Sequence, residues 1–194
     1  MGRRKSTEVP PLHREEIYRI IGAARKPRDK AFISLLFLTG ARISELIQLR
    51  RRDLRLEEND GRRYLVVRLP TLKRKSGVPV RDIPIPLEEP LLSNILTYVR
   101  TLEPNARLFP FSRRWGLELL KRLARESGVR DGDVWCHLLR ASRISELKGY
   151  LSQIEISEFA GWTLPKSFGP IRHYVYLDWR SYAHKMPKGV REHV

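Results

Sequence analysis

The chain has 194 residues, enough to bury one core with a small lobe beside it but not a large second domain. Its 38 lysines and arginines outweigh 22 aspartates and glutamates, and the resulting +16, spread over most segments, favours a polyanionic partner, with nucleic acid first. Cys136 is the only cysteine, which excludes an intrachain disulfide and argues against a thiolate zinc site, and there is no apolar run of the length a membrane span needs and no signal-like start.

An intracellular chain with no metal and no cofactor is therefore expected. Arginine outnumbers lysine 28 to 10, a bias that suits bidentate phosphate contacts. Only three Asn and two Gln occur, a scarcity of labile residues that suits a thermophilic host.

Residues 1–10 are polar and run into Pro10 and Pro11, which reads as a short flexible lead-in. Across 11–26, Leu12, Ile17, Ile20 and Ile21 fall at helical spacing, with proline at the permitted first position and acids in the first turns. A second helix over about 28–39 is almost wholly apolar from Ala31 to Leu38, stops at Gly40 and should be the buried one. Arg42 then opens a third helix, expected over about 43–51, where its side chain would lie near free backbone N–H groups.

From 54 to 86 the period changes to that of strands. Leu54–Leu56, Tyr64–Leu69 and Val80–Ile85 predict three short antiparallel strands, the first two joined at Asn59-Asp60-Gly61 and the last two by the basic turn Thr71–Gly77. Helices return at about 87–102, 113–127 and 138–147, then from the Ser152 cap through Phe159, and last over about 170–183. The fold class is mainly α with one small antiparallel three-stranded sheet, an α+β arrangement.

A phosphodiester resists attack because its oxygens are negative, so an enzyme without metal must surround them with fixed positive charge. Arg42 and Arg140 are the candidates for that clamp. A tyrosine can serve as a nucleophile that conserves the bond energy in a covalent phosphoryl link, and a lysine on the hairpin can protonate the leaving oxygen. His137, three residues before Arg140 on one helical face, can shuttle a proton or donate to the phosphate.

Taken in order, Thr39-Gly40-Ala41-Arg42-Ile43-Ser44-Glu45-Leu46, the basic hairpin, His137-Leu138-Leu139-Arg140 and a late tyrosine resemble the catalytic domain of the tyrosine recombinase, or phage integrase, family. The resemblance covers about residues 12–176 and implies a catalytic domain over 11–176, with 177–194 a tail and candidate protomer-exchange segment. It also implies that Glu45 buttresses Arg42 and that Trp162, in Glu158-Phe159-Ala160-Gly161-Trp162, donates its indole N–H to the scissile phosphate.

The lysine is Lys73 or Lys75, with Lys73 preferred and Lys75 and Arg74 left to touch the DNA backbone. The nucleophile is Tyr174, Tyr176 or Tyr182. Tyr174 is preferred because Arg172-His173-Tyr174 looks like archaeal viral members of the family. The pentamer Arg143-Ile144-Ser145-Glu146-Leu147 repeats residues 42–46 in pattern without an assigned role.

The implied reaction is site-specific recombination of double-stranded DNA through a 3′-phosphotyrosyl intermediate, normally in a synapse of four protomers. A type IB topoisomerase and a non-catalytic DNA-binding protein of the same fold are the alternatives. The chain starts essentially where the catalytic domain would, without the N-terminal core-binding domain of full recombinases. Weak, salt-sensitive DNA binding is expected of it.

Overall fold

The apolar run from Ala31 to Leu38, entered through Pro27 and closed by Gly40, forms helix α2 (Pro27–Thr39), buried along most of its length. The computed structural model describes residues 9–70, 80–162 and 178–189. Helix α1 (Arg14–Ala23) turns Ile17, Ile20 and Ile21 inward, and Glu16 reaches back to accept a hydrogen bond from the His13 N–H at 2.8 Å. Phe32 on α2 meets Phe109 and Phe111 edge-on at 5.2 and 5.0 Å. Burying each such ring contributes about 1.5–3 kcal/mol.

After α2 comes a single turn of helix, α3 (Ile43–Leu46), and then the sheet of β1 (Leu54–Asn59), β2 (Arg62–Pro70) and β3 (Val80–Pro86), antiparallel in the order β1-β2-β3. Asn59 pairs with Arg62 across a two-residue turn in which both Asp60 (φ 51°) and Gly61 (φ 70°) are left-handed, the turn whose twist matches a hairpin. Pro84 and Pro86 are tolerated because β3 is an edge strand.

The later helices are α4 (Leu92–Val99), α5 (Arg113–Glu126), α6 (Cys136–Leu147), α7 (Gln153–Ala160) and α8 (Trp179–Ala183). Helices α1, α4 and α6 pack on α2, while α7 and α8 pack on β3. Ser112 and Ser152 cap α5 and α7 by accepting from the Trp115 and Glu155 N–H groups. No helix among the described residues is long and apolar enough to cross a membrane.

Two expected helices are shorter than their sequence suggests. The third stops at Leu46 rather than near 51, because the chain must turn there to bury Leu49 and to pair Arg50 with Arg107 in an isolated bridge. The one expected over 87–102 spans only Leu92–Val99, because Pro86 and Pro90 start turns, in which their carbonyls accept from Glu89 and Ser93, before the helix begins. Of the last helix, expected over 170–183, only Trp179–Ala183 falls on described residues. There Trp179 packs edge-on against Tyr64 at 5.8 Å, and Tyr182, Ala183 and Met186 are buried with it, so residues 178–189 fold onto their own chain.

The second Arg-Ile-Ser-Glu-Leu pentamer has a structural role. Arg143 bonds Glu146, three residues on, as Arg42 bonds Glu45. Here the pair is joined by Arg14 of α1, whose Nε meets Glu146 at 2.5 Å and whose other nitrogens grip Glu89 at 2.9 and 3.0 Å. This network ties α1, α6 and the start of α4 together beneath Phe37.

Candidate active site

The chain reaches the site through the end of α2. The Thr39 hydroxyl bonds the Leu35 carbonyl and in turn accepts from the Ala41 N–H at 3.2 Å, which fixes the exit of the helix. Gly40 follows in the left-handed region (φ 55°), and a Cβ there would lie 3.1 Å from the Phe159 ring. Only glycine satisfies both the angle and the close approach. Arg42 is thereby set as the residue before α3, in extended conformation, with its side chain partly open to solvent.

Glu45, 0% exposed, holds Arg42 at two points: one oxygen accepts from the Arg42 guanidinium at 2.8 Å and the other from the Arg42 N–H at 2.9 Å. That second oxygen also accepts from Arg81 of β3 at 2.9 Å. Burial alone would raise the Glu45 carboxyl, but the Arg81 and then the Arg42 contacts outweigh it and keep it below the ordinary carboxylate range.

Arg140 comes from α6 and is only 2% exposed. Its hydrogen bonds go to carbonyls, Gly40 at the end of α2 and Ala160 at the end of α7, the latter at 2.7 Å. Helix C-termini carry partial negative charge, which is how a guanidinium is held there without a carboxylate of its own. Burial, with Arg42 and then Arg81 nearby, pulls its pKa down to about 10. Trp162, 41% exposed just beyond the left-handed Gly161 cap, lies with its ring 5.8 Å from the Arg140 guanidinium carbon.

The result is a cluster in which Arg42, Arg81 and Arg140 surround the carboxylate of Glu45. Among these four side chains, three positive charges against one negative leave a surplus of two. A phosphodiester bears one negative charge and its five-coordinate transition state two, so this surplus matches the transition state better than the ground state.

The structure thus brings Arg42, Glu45, Arg140 and Trp162 together. His137 lies on the first turn of α6, on the face of Arg140, and is exposed rather than in the core beside Cys136. Lys73, Arg74, Lys75, Tyr174 and Tyr176 lie outside the described residues. Tyr182 is 1% exposed, its hydroxyl 3.4 Å from the Asp82 carbonyl oxygen, and burial raises its pKa far above the ordinary tyrosine value, so as a nucleophile it is corrected to a core residue. Arg81 was missed by sequence reasoning. Its signal was phase: it alternates with Ile83 and Ile85 and so shares their buried face.

Residues 11–163 match the phage integrase family. The chain belongs to that family. A relative, the tyrosine recombinase XerA of Pyrococcus furiosus, is 32% identical over 143 residues, which are 68% of this chain and 45% of that protein. The archaeal cast read from Arg172-His173-Tyr174 agrees with that source. Among solved structures, a XerA recombinase aligns over 90% of this chain and 62% of its own length with a TM-score of 0.66 at 21% identity. The XerH recombinase bound to a palindromic difH substrate in a post-cleavage complex aligns over 89% of this chain and 52% of its own length, with a TM-score of 0.61 at 20% identity. The fold is therefore that of the family's catalytic domain, and the chain spans less than half the length of the curated relative it matches.

Proposed function

We propose that this phage integrase family chain breaks and rejoins double-stranded DNA as the catalytic part of a site-specific tyrosine recombinase. The observation that carries the reading is the surplus of positive charge formed by the buried Arg81 and Arg140 and the half-buried Arg42 around the Glu45 carboxylate. A buried cation without its own counter-ion is unfavourable in a free fold, and an anion supplied from outside relieves it.

Arg42 and Arg140 take the nonbridging oxygens of the scissile phosphate, with Trp162 and His137 donating further hydrogen bonds as the oxygens gain charge. The Tyr174 oxygen attacks phosphorus as its proton passes to water, the bond to the 5′ oxygen breaks, and Lys73 passes that oxygen a proton. The products are a 3′-phosphotyrosyl link and a free 5′ hydroxyl. Attack by the 5′ hydroxyl of another strand reverses the step and completes the exchange, with no metal or cofactor required. Arg74 and Lys75 contact the DNA backbone, and strand exchange proceeds in a synapse of four protomers. XerH bound to a difH substrate supports a DNA partner.

The test is a nicked duplex from which the 5′ fragment diffuses after cleavage, incubated with the protein in the presence of a metal chelator. A covalent protein–DNA adduct is expected. Plasmid relaxation without any recombinant product would instead favour a topoisomerase, and tight binding without an adduct a non-catalytic protein.

A further inference from the structure

Arg81 makes contacts that a sheet residue does not need. Besides its bond to Glu45, its Nε donates to the Phe159 carbonyl at 3.0 Å and its Nη1 lies 3.5 Å from the Pro70 carbonyl oxygen. An aliphatic side chain in phase with Ile83 and Ile85 would be buried at no desolvation penalty, so a fully enclosed arginine calls for another explanation.

The contacts close a ring. Arg42 bonds Glu45, Glu45 bonds Arg81, and Arg81 bonds the carbonyl of Phe159; the next carbonyl, Ala160, accepts from Arg140, and Arg140 bonds Gly40, two residues before Arg42. Five links are charged hydrogen bonds from a buried guanidinium or to a buried carboxylate, and the other two, Phe159 to Ala160 and Gly40 to Arg42, are covalent chain. Remove Arg81 and two things change at once: Glu45 loses its hold on β3 and keeps only Arg42, and the end of α7 that holds Arg140 loses the hydrogen bond from β3 at Phe159.

We propose that Arg81 is a positioning residue for strand cleavage, the link that holds the Arg42 and Arg140 guanidinium groups at a fixed separation around one phosphate. The proposal rests on the recombinase reading above. Arg81 itself does not touch the phosphate; it acts through Glu45 and through the end of α7. Misplacement of a catalytic group by about 1 Å is enough to slow a reaction on the order of 100-fold.

The experiment compares Arg81→Met, Arg81→Lys, Glu45→Gln and the Arg81→Met/Glu45→Gln pair on the nicked substrate, reading adduct rate, DNA affinity and melting temperature. Arg81→Met is expected to slow adduct formation about 10- to 100-fold while binding DNA within about threefold of wild type, because the loss falls on the transition state. Arg81→Lys, which keeps the charge beside Glu45, recovers part of the rate. The double variant is no slower than the slower single one, since both break the same ring.

Cleavage by Arg81→Met at the wild-type rate, a loss confined to DNA affinity, or effects of the two substitutions that multiply overturns the proposal. If Arg81→Met does not fold, the near-isosteric Glu45→Gln decides, and its cleavage at the wild-type rate overturns the ring. Failure of the wild-type protein to form any adduct instead sinks the recombinase reading, and the proposal with it.

Discussion

The buried Arg140 and the half-buried Arg14 sit in opposite electrostatic surroundings, and replacing each by methionine should have different consequences. Burial and the neighbouring Arg42 and Arg81 draw Arg140 below the ordinary arginine range, to about 10, so its charge disfavours the fold by roughly 3 kcal/mol. Against this stand its two hydrogen bonds to the Gly40 and Ala160 carbonyls, worth about 1.5–3 kcal/mol each for a charged donor. Arg140→Met gives back the first and gives up the second, a net loss of about 0–3 kcal/mol.

Arg14 is the contrast. Although burial opposes its charge, Glu89 and then Glu146 raise its pKa, so its charge favours the fold, and Arg14→Met strips a partner from both carboxylates at a loss of about 3–5 kcal/mol. Urea denaturation at neutral pH measures both, and the nicked substrate measures cleavage under conditions where each variant is folded. Arg140→Met should remain folded and cleave at least about 100-fold more slowly. Arg14→Met should be the less stable protein yet cleave at the ordinary rate. An Arg140→Met protein that unfolds readily while its folded fraction cleaves normally would make Arg140 a structural residue and refute the charge-surplus argument.

Acid should unfold the protein through its paired carboxylates. Arg81 and Arg42 hold Glu45, and Arg143 and Arg14 hold Glu146, below the ordinary range despite burial, so the unfolded chain takes up protons first. That stabilisation is complete above about pH 4.3 and is lost as pH falls through the lower folded-state values; Glu146→Gln should flatten the fall in urea midpoint over that window, and an unchanged slope counts against the pairing. Gly40→Ala forces a side chain into a left-handed position against Phe159, and a loss of about 1–3 kcal/mol with slowed cleavage is expected in thermal melts and the adduct assay. Tyr182→Phe removes only a long contact to Asp82, so adduct formation should persist, and its loss would reinstate Tyr182 as the nucleophile. DNA affinity should fall steeply between low and moderate salt, and a flat titration would deny the phosphate contacts.

The elements read most directly from the sequence are those with their own punctuation. Pro27 and Gly40 bracket α2, Ser152 and Gly161 bracket α7, and Asp60-Gly61 dictates the first hairpin. Helices α3 and α4 were overextended because their apolar spacing continues past the point where tertiary demands end them: Leu49 turns into the core after α3, and Pro86 and Pro90 occupy α4's expected first turns.

The same division runs through the site. Arg42, Glu45 and Arg140 stood out because they lie in short strings with fixed spacing. Arg81 lies in no such string, and its placement depends on a carboxylate 36 residues away and a carbonyl 78 away. A lone basic residue in a strand reads as solvent-facing unless its phase with Ile83 and Ile85 is given weight. The repeat of residues 42–46 at 143–147 shows the reverse hazard: one local Arg–Glu geometry serves the proposed phosphate site in the first copy and a buried structural network in the second.

The central claim is that a tyrosine near the end of this family domain, led to its phosphate by Arg42 and Arg140, becomes covalently joined to DNA. Digestion of the adduct from the nicked substrate, followed by mass spectrometry of the nucleotide-bearing peptide, tests it most directly. A 3′-phosphate ester on Tyr174, absent in Tyr174→Phe, is the predicted result. A 5′-linked product, attachment to a residue other than tyrosine, or no adduct from protein that binds the duplex would contradict it.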